Sequence, residues 1–542
     1  MNRREFLKSA SVLSSVAAAG VAAPAVWSSA RAQSARAETL LLVSEAGPNN
    51  LDIHGVGTNR PGYEVAWNCY DRLMSYGTKT LADGSVSYDQ NKLVPELAEG
   101  WDVSANAATF KLRKNATFHD GSPVTAQDVK WSFDRAVSVG GFPTFQMKAG
   151  SLEKPEQFVV VDDHTFRVDF IRPDRLTMPD LAVIVPSVFN SKLVQSKATE
   201  QDKWGMEFTK QNTAGGGAYK VAKWTSGTEV IFERNESWAC GPMPSIKRVV
   251  WRMVPSAGNR RALIERGDAD ISFDLPAKDF VELDKAGKVK VVSNPVSNGV
   301  QYIGMNVTKP PFDKLEVRQA VAYAIPYQKI MDAVLFGLGK PLYGAASNKV
   351  SQPVWPQAHG YNTDIAKAKE LLAKAGYPEG FETTLSFDLG AAVVNEPLCT
   401  LVQESLGQIG IKVTLNKIPG ANWRGEITKK EMPLIANFFS GWLDYPEYFF
   451  FWGYHGQNAV FNTMGYKSAE MDKLIDGARA TAAAGDWPAY DKDVTGFIDL
   501  AFADMPRVPL FQPYLNVAMQ KSIAGYQYWF HRQLDYRTLR KA

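Results

Sequence analysis

Cysteine and histidine are scarce: three and six in 542 residues. Cys69, Cys240 and Cys399 are spaced too widely for a metal site or a disulfide framework, and one bridge with a spare thiol is as open as three free thiols. The histidines, at 54, 119, 164, 359, 455 and 531, never approach a His-x-x-x-His spacing. That argues against a zinc hydrolase. No run of Lys and Arg with interleaved aromatics occurs, so nucleic acid is not an expected partner. Repeats, heptads and low-complexity tracts are missing beyond the N-terminal leader. Gly215-Gly216-Gly217 lacks the Gly-Lys-Ser/Thr ending of a phosphate loop and continues as Ala218-Tyr219-Lys220. Asp162-Asp163-His164 sits between alternating strands and reads as a solvated turn rather than a metal site.

The leader is informative. Asn2-Arg3-Arg4-Glu5-Phe6-Leu7-Lys8 resembles a twin-arginine export signal, with Asn2 where Ser or Thr is usual. An Ala-rich, weakly apolar run follows from Ala10 to Val26, broken by Gly20 and Pro24, then two small-x-small sites at Ala30-Arg31-Ala32 and Ala35-Arg36-Ala37. A cleaved signal fits this better than a membrane anchor. The first cysteine is Cys69, so a lipid-anchored start is not expected. Residues 1–37 carry a net of four positive charges, and without them the formal +3 becomes −1. The expected mature protein is soluble and periplasmic, with an N-terminus at Gln33 or Glu38. Roughly 500 residues at ordinary domain sizes imply about three domains.

The stretch Leu93–Ala136 organises the rest. Trp101 and Val103 alternate with polar neighbours, as do Phe110 and Leu112, which predicts a hairpin. Asp120-Gly121 marks a turn. Thr125 and Asp128 then open a helix carrying Val129, Phe133 and Ala136 on one face. Further strands are expected at Thr39–Ser44, Val221–Trp224, Glu229–Glu233 and Ile246–Val254. In the C-terminal half a helix at Thr363–Ala375, a strand at Phe381–Phe387, a helix at Val394–Ile409 and a strand at Ile411–Leu415 give a βαβ rhythm.

The runs P-E-L-A-E-G-W-D-V-S (95–104) and T-F-K-L-R-K-N-A-T-F-H-D-G-S-P-V-T-A-Q-D-V (109–129) resemble the signature of family 5 extracytoplasmic solute-binding proteins of ABC importers. The likeness continues through Glu233–Trp238 and into Val317-Arg318-Gln319-Ala320. It implies a hinge-closing, two-lobed α/β fold of the type II periplasmic binding class with an extra inserted domain. Residues 38–74, 184–299 and 509–542 would form a discontinuous lobe I, 75–183 the inserted domain II, and 300–508 lobe III.

The resemblance also implies site residues. His54 and Gly57 follow the family's opening loop, which runs into the cleft. Ser440-Gly441-Trp442-Leu443-Asp444-Tyr445-Pro446 resembles G-W-x-x-D-Y-P, one residue shorter. Peptide-binding relatives use that Asp for the ligand's terminal ammonium, Trp442 and Trp423 match positions where relatives place tryptophans against ligand side chains, and Tyr445 is a further expected ligand-binding residue of the segment. Dipeptide binders carry an Arg for the ligand carboxylate in the loop after the strand matched by Thr384–Asp388. Here that loop reads Leu389-Gly390-Ala391-Ala392, and Arg424 is a substitute that nothing in the sequence orients.

The function so implied is capture of a peptide or other small amino-bearing solute and delivery to an inner-membrane ABC permease, by a monomer, without catalysis or cofactor. An opine, a sugar or a metal chelate as ligand, a sensor as docking partner, and a periplasmic hydrolase are the alternatives.

Overall fold

The computed structural model describes residues 36–542 apart from 56 and 458–460. All but the last two residues of the expected signal peptide therefore lie outside the described residues. β1 (Thr39–Ser44) points Leu40 and Leu42 into the core and leads to the helix Arg60–Cys69, whose start is capped by the Asn59 side chain. β2 (Met74–Thr80) and β3 (Val86–Pro95) form a separate hairpin.

The signature hairpin is β4 (Ala98–Val103) and β5 (Ala107–Leu112), followed by β6 (Phe158–Asp162) and β7 (Thr165–Asp169). They make an antiparallel sheet ordered β4-β5-β7-β6. The helix Ala126–Ser138 lies on it through Phe133, whose ring meets Phe158 and Phe166 edge-on at 5.3 and 5.4 Å. The alternation predicted Val103 half-buried, but it is 56% exposed because β4 is the sheet edge.

β8 (Tyr219–Thr225), β9 (Glu229–Arg234) and β10 (Arg248–Met253) return to β1, which runs parallel to β10 and to the short β11 (Ile271–Ser272). The glycines before β8 pack backbone to backbone: a Cβ on Gly215 would sit 2.0 Å from the Cys69 carbonyl oxygen. That is why the run is glycine, with no phosphate needed. Cys69, Cys240 and Cys399 are each buried and unbridged.

The chain then crosses between lobes. β12 (Lys290–Pro295) ends on the first side and β13 (Val300–Met305) begins on the other, with 296–299 between them. Alternate residues of β13 feed two cores. Ile303 and Met305 join the helices Leu315–Ala324 and Ala392–Gly407, while Val300 and Tyr302 join the helices Ala469–Ala484 and Trp487–Asp504. β14 (Gly339–Pro341), β15 (Glu382–Asp388), β16 (Lys412–Ile418) and β17 (Leu434–Phe439) complete this lobe, with β15 parallel to both β16 and β17. The return is β18 (Arg507–Met519), which pairs with β13 up to Phe511 and with β12 from Tyr514 on, making one sheet continuous through both lobes.

The architecture is two-lobed α/β with an inserted β-rich unit. Residue 299/300 lies at the first crossing. Residue 508/509 lies inside β18, whose partner changes a few residues later. The inserted unit shares its core with the first lobe, Phe110 and Phe133 clustering with Leu40 and Trp251. It is also tied to the far lobe: Arg175 Nε donates to Glu447 at 2.7 Å, Arg479 to Asp174 at 2.9 Å, and Tyr448 to Gln146 at 2.6 Å.

Candidate functional site

The crossing 296–299 and the loop between β17 and the helix Pro446–Tyr454 are clamped together by Asn298. Its backbone is left-handed (φ 42), a conformation Asn tolerates. Its side-chain oxygen accepts the Gly441 N–H at 3.0 Å, and its amide donates to the Leu443 carbonyl. Trp442 and Leu443 are buried beside this clamp, and Asp444 follows, half-buried, at the mouth of the seam. Ser297 of the crossing and Tyr88 of β3 are its polar neighbours. Burial pushes the Asp444 pKa up to about 6, against the pull of the Lys79 charge and of those two side chains. It makes no ion pair among the described residues.

An aromatic chain runs inward from Asp444. The Tyr88 ring is 5.1 Å from Phe530, Phe530 is 5.8 Å from Trp442, and Trp442 is 5.0 Å from Tyr63 and 4.4 Å from His531. Trp442 is therefore packed between lobes. Trp423 is also nearly buried, and its indole N–H donates to Asn437 at 3.3 Å. Tyr445 is half-buried with the Arg175 guanidinium 4.7 Å from its ring centroid, and burial raises its pKa to about 12. Gly57 is an exposed turn residue (φ 77) of the opening loop.

His54 is placed elsewhere. It is fully buried, its backbone N–H donates to Asp52 at 2.8 Å, and its Nδ1 accepts from Arg135 at 3.1 Å. Nε2 is thereby the protonated nitrogen, and it donates to the Val185 carbonyl at 2.7 Å. Burial and the Arg135 charge lower its pKa to about 4. With both nitrogens engaged, His54 has none left for a solute, because the opening loop turns into the junction with the helix Ala126–Ser138 rather than into the seam.

Three residues at the seam were not singled out as site candidates. Arg60 begins the helix Arg60–Cys69, is solvent-exposed, and holds its guanidinium 5.1 Å from the Phe438 ring of the opposite lobe. Arg424, considered only as an unoriented substitute, is exposed on the helix Gly420–Thr428, 5.8 Å from the Phe461 ring. His531 is nine-tenths buried with φ 57, and neither ring nitrogen has a hydrogen-bond partner. Burial and the charges of Arg60 and Arg424 hold it well below its ordinary pKa, hence neutral. Only the Asn before Arg60, a cap signal, marks this region in the sequence. A separate cavity of about 790 Å³, walled by Asp83, Val281, Lys290 and Arg540 among others, shares none of these residues.

Residues 92–461 match the profile of the bacterial extracellular solute-binding proteins, family 5. The chain is 29% identical over 498 residues to the probable D,D-dipeptide-binding periplasmic protein DdpA of Escherichia coli K12, covering 90% of this chain and 91% of that protein. Among solved structures, it superposes on DppA of Helicobacter pylori in complex with the peptide STSA with a TM-score of 0.78 at 22% identity, covering 93% and 98% of the two chains. It matches AgaA of A. tumefacien R10, in complex with agropinic acid, with a TM-score of 0.77 at 26% identity, covering 93% and 99%.

Proposed function

Because the chain belongs to the bacterial extracellular solute-binding proteins of family 5, a binding rather than a catalytic family that serves ABC permeases, we propose that it captures a small amino-bearing solute, such as a short peptide, in the interlobe seam. The lobes divide as the sequence resemblance implies, and the protein acts as a periplasmic monomer exported through the twin-arginine route. Asp444 receives the solute's ammonium. One observation carries this: Asp444 is a half-buried carboxylate whose pKa burial pushes up to about 6, with no cation at ion-pair distance among the described residues. An ammonium entering there meets a countercharge in a low-dielectric setting, where the attraction is far stronger than in water. The names of the relatives, a D,D-dipeptide binder and a tetrapeptide complex among them, support the same class of solute.

Closure follows from differential affinity: the solute favours the state in which both lobes touch it. Arg175–Glu447 and Arg479–Asp174 tie the inserted unit to the far lobe.

The test uses a pool of short peptides and the same pool N-acetylated. Wild type should bind the free amines more tightly, and Asp444→Asn should lose about two to four powers of ten in affinity, the usual cost (~3–5 kcal/mol) of breaking a desolvated ion pair. Acetylation and the mutation together should cost much less than their sum. Equal wild-type binding of free and acetylated pools would show Asp444 to be a turn residue.

A further inference from the structure

The seam holds a second group of charges that Asp444 does not explain. Arg60 comes from the first lobe and Arg424 from the second, and both are solvent-exposed. Each rests on an aromatic face, Phe438 and Phe461 respectively, with no carboxylate at ion-pair distance among the described residues. The other arginines of the seam are committed. Arg175 holds Glu447, Arg479 holds Asp174, Arg532 holds Asp274 at 2.6 Å, and Arg507 donates to the Phe461 carbonyl at 2.6 Å.

The two free guanidinium groups converge. Arg424 rests on Phe461, whose ring is 5.5 Å from Phe439, and Arg60 rests on the neighbouring Phe438. Burial is the main influence on the pKa of Tyr63 and of His531, and both guanidinium charges also lower each of them. Tyr63 and His531 themselves flank Trp442, at 5.0 and 4.4 Å between ring centroids. His531 adds an independent sign of a missing partner: a neutral imidazole, nine-tenths buried, with both nitrogens unpartnered. An imidazole N–H and two guanidinium groups are all donors. Asp388 at the end of β15 is a carboxylate on which the Arg60 charge acts. It is itself raised by burial, accepts the Gly390 N–H at 2.6 Å, and sets one negative charge against two positive.

We propose that Arg60, Arg424 and His531 form an anion subsite that takes a carboxylate of the bound solute, so that the solute is dipolar, ammonium at Asp444 and carboxylate between the lobes. Burial is the main influence on the Tyr528 pKa, and the charges of both Asp444 and Arg60 also act on it. The subsite rests on the solute reading above, but it lies outside the loop after β15 where the resemblance placed the family's cation. It also gives closure a cause. Bringing Arg60 and Arg424 together in an empty seam costs like-charge repulsion, and a carboxylate bridging them removes it, so the anion prefers the closed state.

The experiment measures binding of two pools of the same di- and tripeptides, one with free and one with amidated C-termini, to wild type, Arg60→Gln/Arg424→Gln and Asp444→Asn. Wild type should prefer the free acids by about tenfold to a hundredfold, the usual loss with a charge-assisted hydrogen bond. The double arginine variant should bind both pools alike. Asp444→Asn should weaken both while keeping the preference, so a failed subsite and a failed Asp444 reading look different. Equal binding of both pools by wild type overturns the subsite.

If neither pool binds, two readouts still decide. A solute recovered from the purified protein by native mass spectrometry should carry an acidic group, and one without it overturns the proposal. In small-angle scattering at low salt, solute-free Arg60→Gln/Arg424→Gln should be more compact than solute-free wild type. Unchanged scattering overturns the role of the pair in closure.

Discussion

Asp52 with Arg135 and Asp444 with Arg60 are made of the same two residue types, and they have opposite environments. Arg135 holds Asp52 at 2.5 and 3.1 Å, Thr209 donates to it at 2.5 Å, and all of these groups are buried. Burial raises the Asp52 pKa, but Arg135 outweighs it and leaves the carboxylate below its ordinary value. Asp444 lacks such a partner and goes up, to about 6. Arg60 and Arg424 are likewise without an acid at bonding distance. The difference separates the two regions by a physical criterion: a charge satisfied within the chain holds the fold, and one left unsatisfied in a seam is what the proposed solute would pair with.

The largest effect should come from breaking the satisfied cluster. Arg135→Met leaves Asp52 buried and uncompensated, which typically costs ~3–5 kcal/mol. Denaturant unfolding followed in the inserted unit should show the loss, while the folded fraction binds solute as before. A change below about 1 kcal/mol, or a loss of affinity at equal stability, would erase the distinction between the two regions.

How far the sequence carried this distinction depends on the kind of contact. β1 falls on the expected residues, and the helix predicted at Thr363–Ala375 appears at Ile365–Lys374, because alternation, caps and glycine stops are local signals. The motif around Trp442 marks the segment that carries Asp444 to the seam, because Asn298 clamps that short segment locally. His54 was misread, since its partners Arg135 and Val185 are far along the chain and no local pattern shows that a loop residue turns inward. Arg60 and His531 were invisible for the converse reason. What marks them is the absence of a partner, and that is a property of assembled lobes.

Next in size is a pH effect that should run in opposite senses for binding and stability. The folded pKa of Asp444 lies above its unfolded value, so the native state binds more protons between the two. Its contribution to stability improves as pH falls through about 6 and is unfavourable above it. Ammonium binding needs the ionised form, so affinity should drop about tenfold from pH 7.5 to pH 5. Asp52, with its pKa lowered, acts the other way on stability: its contribution is present above its unfolded value and is lost only in stronger acid. Calorimetric titration across pH, with Asp444→Asn as the control, checks this. An Asn variant that keeps the full pH dependence would assign it to another group.

The smallest effect concerns a carboxylate between these extremes. Asp270 is buried and accepts from Arg36 at 2.7 and 2.9 Å, from Lys541 at 2.9 Å and from the Leu41 N–H at 2.7 Å. Arg36 is the outlying partner, with 42% of its side chain exposed, and Lys541 also donates to the Arg36 carbonyl at 2.9 Å. Arg36→Ala leaves Asp270 with a cation and a backbone donor, so the cost should stay below about 1 kcal/mol. The same contact bears on export. Processing after Ala32 keeps Arg36 on the folded protein, whereas processing after Ala37 removes it, and a residue that packs on the first strand favours the earlier site. The intact mass of exported protein should therefore correspond to a chain starting at Gln33, with Arg36→Ala lowering its melting temperature slightly. A mass that starts at Glu38 would mean that Lys541 and the Leu41 N–H alone satisfy Asp270 in the mature protein, and Arg36→Ala would then leave its stability unchanged.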